Sequence, residues 1–546
     1  MLMTETTLIG HINKITGADF VAQLISEKEG FSPLVTLGGM VFNVGQVGSY
    51  LLVKQAGPDI LVLVECMWLE RDANDQVTRL LQINPLGEFT EKGSFHRGVS
   101  HYPVTGAELH LISEARLKGV FASFREANFS IGSLSSFADI DVFMDPSAFF
   151  GRHAAILGQS GSGKSWMVAS MVQSTLKSMP NAHIIMLDPH NEYSQGNVAD
   201  KPVFPLDKVR HISAADMEIP YWLLPFRDLV DLLIDSNEEN ASLQIAFLRS
   251  MVLELKSLAN KDIDIGHACV DTPVYFSMTE LYEQFKMVNE RTSNFGKSKT
   301  AMTGKFDTLL IKLESRLNDT RYDFLLSPKM RTSSASLPEL LKDFVGLGET
   351  HAAVTVIDLS SVPFDVQPTV SAQIARMAFE FNFWNPRCRE FPLVLICEEA
   401  HNYISRDSNS RYTAARLSFE RIAKTGRKYG VGLCLVSQRP HDLSETVLSQ
   451  CSSFFCMRIT NPLDQEYIRA LVPDAAHGIL NSLSSLAQGE VIAIGEASPL
   501  PVRMQVNLPE PPPNAQTINF HQMWSKTEPT EVDVDEIVQH WWKNRH

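Results

Sequence analysis

Over about the first hundred residues, apolar and polar side chains alternate in short runs. Leu8, Gly10 and Ile12 alternate with Ile9, His11 and Asn13, and Val41 to Val47, Ser49 to Val53 and the continuous run Ile60 to Cys66 follow. Glycines at 38, 39, 45, 48 and 57 separate them. Period-two alternation between turn residues predicts short strands, and a small closed β-barrel over residues 1–130 leaves no strand edge open. From about residue 153 buried apolar runs alternate with helical spacing, which predicts an α/β core around a parallel sheet, over 131–214 and 346–507. Its strands are Ala154 to Leu157, Ile184 to Leu187, Ala353 to Ile357, Leu393 to Cys397, Val431 to Val436, Phe454 to Ile459 and Val491 to Ile494. Between them, residues 215–345 lose strand signals, and Leu248, Val252 and Leu255 fall on one helical face after the candidate cap Asn240, so an all-helical insertion is predicted. Over 508–546 the prolines 509 and 511 to 513 predict an extended arm and then a short helix around Ile537, Trp541 and Trp542.

Composition narrows the function classes. With 44% hydrophobic and 20% charged residues the 546-residue chain is ordinary folded protein, which excludes disorder, collagen and a coiled-coil rod. No apolar stretch approaches the ~18 residues of a membrane helix, so the expectation is a cytoplasmic chain with no membrane association. Seven cysteines without a CxxC pair point to neither a disulfide framework nor a zinc site. A net charge of −15 excludes a surface that is basic all over, and any nucleic acid must meet a local basic lining.

The strongest chemical signal is Gly158-Gln159-Ser160-Gly161-Ser162-Gly163-Lys164-Ser165, a complete GxxxxGK[ST] between the run Ala154 to Leu157 and a helix opening near Trp166. Backbone N–H groups of such a loop close round a β-phosphate, Lys164 reaches the β and γ oxygens, and Ser165 suits Mg²⁺, so ATP and Mg²⁺ are the expected cofactors. Hydrolysis also needs one carboxylate on the metal and one on the attacking water. The run Leu393 to Cys397 ends in Glu398 and Glu399, which fit those two tasks, with the long Glu398 reaching the metal through water. Three further strands end in polar groups: Asp188, followed by His190, Asn191 and Glu192; Asp358; and Ser437 with Gln438. Strand carboxyl ends gather at one edge of a parallel sheet, which sets Gln438 to sense a γ-phosphate and Glu192 to position water or a loop. His190 and His401 read as hydrogen-bonded loop histidines. Arg427 and Arg152 precede strands, at the opposite edge, where an arginine suits the γ-phosphate of a neighbouring subunit as a finger.

Taken in order, the barrel, RHAAILGQSGSGKS at 152–165, LDPHNEY at 187–193, VIDLS at 356–360, LICEEAH at 395–401 and GRKYGVGLCLVSQRP at 426–440 resemble the HerA-type ATPases of the FtsK/HerA superfamily. The resemblance covers about residues 5 to 507 and is most specific in the α/β core. It implies a RecA-like P-loop fold and a homo-hexameric ring that hydrolyses ATP and translocates on double-stranded DNA. It also implies a barrel that docks a partner nuclease or other effector, in DNA end processing or phage defence. Carried over by position, it implies Lys164 and Ser165 for phosphate and Mg²⁺, Glu398 and Glu399 for metal and water, Gln438 as sensor and Arg427 as the finger between subunits. The family usually has glycine where Asn191 stands. Two other classes share the fold: a secretion or conjugation ATPase, and a regulatory ring that activates an effector such as an NAD-consuming, sirtuin-like enzyme. A DNA lining is expected near Lys201 or at Arg406 and Arg411, while Lys297, Lys299 and Lys305 read as a solvated face.

Overall fold

In a computed structural model of the chain, the alternating N-terminal runs fold into strands with one face buried. Six of them close on themselves in the order Phe20–Leu24, Leu8–Ile15, Glu108–Leu111, Tyr50–Lys54, Asp59–Arg71 and Val77–Phe89, the last pairing back onto the first. Inside lie Ile9, Ile12, Phe20, Leu51, Val53, Ile60, Val62, Val64, Leu81, Ile83 and Leu109, an apolar filling that alternates along Tyr50–Lys54, Asp59–Arg71 and Val77–Phe89. The structure describes residues 7–17, 19–25, 34–37, 40–71, 77–90, 93–194, 201–235, 237–293, 298–299, 301–348, 351–407, 413–473, 476–515, 519–525 and 532–543. Arg411 and Lys297 lie outside them.

The chain divides into two units. The first joins residues 1–180 to 432–515 and so holds the barrel. Beside the barrel its strands run in the order Phe137–Phe143, Ser130–Leu134, Val502–Val506, Glu490–Gly495, Ser453–Cys456, Ala154–Leu157, Val431–Ser437. Only Ala154–Leu157 and its two neighbours are parallel; the rest are antiparallel, so the sheet predicted as parallel is mixed in this unit. Phe137–Phe143 and Val502–Val506 escape the sequence pattern because each buries only two or three side chains in alternation, as Val502, Met504 and Val506 do, whereas Glu490–Gly495 is a continuous buried run and was expected. The barrel is tied to this sheet region by Tyr50 Oη, which donates to Pro501 O (2.7 Å), and by Arg97, which donates to Pro499 O (2.9 Å) and Gly495 O (2.7 Å). The arm is tied down as well: Gln173 donates to Pro511 O and accepts from Glu510 N–H, both at 2.9 Å.

The second unit, residues 181–431 and 516–546, has an all-parallel sheet ordered Leu393–Cys397, Ile184–Asp188, Val354–Asp358, Val209–Ser213. The edge strand Val209–Ser213 was not expected, since its Arg210 and His211 break the apolar run. Helices follow it. Ala241–Ala259 buries Leu248, Val252 and Leu255 on one face, although Asn240 at its N-cap makes no side-chain capping bond. Two helices, Phe520–Trp524 and Val534–Lys543, follow the arm. Among the described residues no helix is long and apolar enough to cross a membrane.

Candidate active-site residues

In the first unit the phosphate-loop strand Ala154–Leu157 ends level with Ser437 on one side and Cys456 on the other. The chain then has to turn tightly within a few residues, and glycine makes this possible. A Cβ on Gly158 would come within 2.7 Å of Ser162 Oγ and 2.8 Å of Met457 Cβ, and Gly161 and Gly163 hold positive φ of +74° and +107°. Gly158 N–H donates to Ser437 O (3.2 Å) and Ser162 N–H to Gln159 O (3.2 Å), which closes the loop ahead of the helix Lys164–Ser178. Lys164 is buried and its Nζ donates to Gln159 O at 3.2 Å, so the cation is held over the loop. Ser162 is fully buried, Ser160 and Gly161 are exposed, and Ser165, Trp166 and Gln438 are half-buried. This cradle of N–H groups, sized by glycine and closed by a lysine, fits a polyphosphate.

In the second unit the strand ends bring carboxylates together. Asp188 pairs in register with Asp358, and Leu187 with Cys397, so Asp188, Asp358 and Glu398 lie along one edge. They do different work. Asp188 accepts from the backbone N–H groups of His190 (3.3 Å), Glu192 (3.1 Å) and Tyr193 (2.9 Å), and Asp358 from Ser360 N–H (2.8 Å). Asp188 therefore shapes the loop 189–193, with burial pushing its carboxyl up to about 6 against these bonds. Asn191 takes φ +55° in that loop, a left-handed conformation natural to glycine and tolerated by asparagine.

The folded loop delivers Tyr193, whose hydroxyl donates to Glu398 Oε1, while Tyr403 Oη donates to Glu398 O (2.8 Å). Burial, with Glu192, Glu399 and Asp188 adding to it, pushes the Glu398 carboxyl up to about 8; the Tyr193 hydroxyl opposes the rise. Such crowding of acids is what a divalent cation relieves. Among the described residues no three His, Cys, Asp or Glu side chains are grouped to hold a metal alone. Glu399 stands at φ +46° and ψ +44°, with His401 Nδ1 3.2 Å from its Oε2. This left-handed residue turns the chain sharply at the strand end.

The family model described as "Helicase HerA, central domain" matches residues 129–378. The DNA double-strand break repair helicase HerA of Sulfolobus acidocaldarius is 27% identical over 450 residues, 80% of each chain. Its counterpart in Saccharolobus solfataricus is 26% identical over 436 residues, 79% of this chain and 78% of that one. Residues 129–378 are similar to the central domain of HerA helicases. Among solved structures, VirB4 of Thermoanaerobacter pseudethanolicus aligns over 70% of this chain and 96% of its own, with 17% identity and a TM-score of 0.46.

The two arginines differ. Arg427 is exposed, makes no ion pair among the described residues, and lies in the turn Gly426–Tyr429. The next residue, Gly430, accepts from Leu393 N–H (2.8 Å), so Arg427 stands at the end of Leu393–Cys397 remote from Glu398. Arg152 is paired with Glu496. Glu192 is half-buried beside Tyr193, His190 is exposed, and Lys201 and Arg406 are exposed. Sequence reasoning gave no role to Tyr193 and Tyr403, although both stand inside or next to quoted motifs. A buried tyrosine within six residues of a strand-end acid was the available signal.

Proposed function

We propose that this chain is a subunit of an ATP-hydrolysing ring, a homo-hexamer, that moves along double-stranded DNA and works with an effector enzyme. The observation that carries this is the phosphate loop, glycine-lined and closed by buried Lys164, in a chain similar over residues 129–378 to the central domain of HerA helicases. Lys164 neutralises phosphate charge, and Gly158 to Ser165 supply N–H donors. Ser165 and Glu398 are the oxygen donors suited to Mg²⁺, which, when bound, screens phosphate charge. Glu399 takes a proton from the attacking water, and Gln438 hydrogen-bonds the γ-phosphate end. Arg427, exposed and without an ion pair among the described residues, supports a role between subunits, whereas Arg152 is engaged by Glu496.

The related proteins named as double-strand break repair helicases support DNA as the track. A net charge of −15 confines DNA contact to a lining such as exposed Lys201 and Arg406. Effector docking at the barrel is supported by Met67, Trp68 and Leu69, exposed on the far half of the hairpin strand Asp59–Arg71. ATP turnover measured with and without duplex DNA tests the reading. DNA-stimulated hydrolysis is expected; turnover that ignores DNA and rises only with an added nuclease or NAD-consuming partner would favour the regulatory ring.

A further inference from the structure

The strand Ser453–Cys456 flanks the phosphate-loop strand on the side opposite Val431–Ser437, and past the last paired residues, Leu157 and Cys456, the two chains stay together. Met457 N–H donates to Leu157 O (2.7 Å) and Gln159 N–H donates to Arg458 O (3.0 Å). Thr460 closes on the Gln159 side-chain oxygen through its N–H (3.2 Å) and its hydroxyl (2.7 Å). Residues 457–460 are thus built into the phosphate loop itself.

Each side chain of that segment but one has a task. Met457 packs against the loop glycines, its Cβ 2.8 Å from a Cβ built on Gly158 and its Cε 3.2 Å from one on Gly163. Ile459 is buried, and Thr460 holds Gln159. Arg458 is only half-buried, forms no ion pair, and has its Nε buried without a hydrogen-bond partner among the described residues. Leaving a guanidinium N–H buried and unmatched is unfavourable; Arg331, Arg416 and Arg469 share the feature, and Arg458 is set apart by lying in the segment hydrogen-bonded to the phosphate loop, where a phosphate oxygen would match it.

We propose that Arg458 binds the nucleotide within its own subunit, on the ribose and α-phosphate side of the loop, across from Gln438. This rests on reading Gly158 to Ser165 as the ATP site. Its forked N–H donors suit a phosphate oxygen that ATP and ADP share, so Arg458 is a binding residue and not a γ-phosphate sensor.

Equilibrium binding of ATP and of ADP to the full chain tests it, comparing wild type with Arg458→Gln and Arg458→Lys. Arg458→Gln should weaken both nucleotides alike, by about tenfold or more, the value of one charge-assisted hydrogen bond, and Arg458→Lys should recover part of the loss. Unchanged ADP affinity in Arg458→Gln, with native circular dichroism, overturns the proposal. A loss confined to ATP does so too, because it assigns Arg458 to the γ end. Should Arg458→Gln misfold, Arg458→Lys decides, since its ADP affinity must still fall. Wild type that binds neither nucleotide, like Lys164→Ala, removes the ATP-site reading itself.

Discussion

Asn191 and Glu399 hold left-handed backbone at the ends of two neighbouring strands, at φ +55° and +46°. A residue with a Cβ is strained there, and asparagine least of the two because its short amide bonds locally. Asn191→Gly should therefore keep or slightly raise the thermal midpoint, while Asn191→Val should lower stability by about 1–2 kcal/mol; denaturant unfolding reads both. Tyr193 stands two residues on, and its hydroxyl is the hydrogen-bond donor to the buried Glu398 carboxylate. Tyr193→Phe should cost about 1–3 kcal/mol of stability and lower ATP turnover more than ATP affinity, since it disturbs a carboxylate and not the phosphate loop. Equal stability and turnover in that variant would show that the bond does not position Glu398. The phosphate loop and the acid pair were legible because each is a local string of residues. The Tyr193–Glu398 bond was not, because it joins positions 205 residues apart and only the fold brings them together.

In the helical region of the second unit, the helix Phe226–Leu233 buries Asp228, whose carboxyl is pushed up to about 6 by burial, with Arg376 opposing. The sign follows from proton counts. Between about pH 4 and 6 the folded chain holds a proton on Asp228 that the unfolded chain has lost, so this group's contribution to stability falls as pH rises through that window and stays low above it. Asp228→Asn should thus raise stability at pH 7 by on the order of 1–3 kcal/mol and change it little at pH 4. Thermal midpoints across that range give the answer, and a gain that persists undiminished at pH 4 would assign the effect to packing instead. The helices of this region were legible from spacing such as Leu248, Val252 and Leu255. The strands Val209–Ser213 and Val502–Val506 were not, because short strands with polar members carry too few buried side chains to stand out.

For the whole molecule, the proposed ring requires its subunits to cooperate in hydrolysis. Arg427 is exposed and remote from Glu398 along its strand, which supports the proposed role toward a neighbouring subunit. Arg427→Ala should bind ATP almost normally and turn it over slowly, and mixing it with Lys164→Ala subunits should restore part of the activity, because an intact loop then meets an intact arginine. Mixed rings without any recovery would give Arg427 a structural role. The central claim, that this is a hydrolysing HerA-type ATPase, is tested most directly by steady-state ATP turnover and ATP affinity in Glu399→Gln. The variant should bind ATP like wild type and lose turnover by on the order of a hundredfold or more, as expected when the water loses its proton acceptor. Turnover close to wild type, with ATP bound equally well, would contradict the claim.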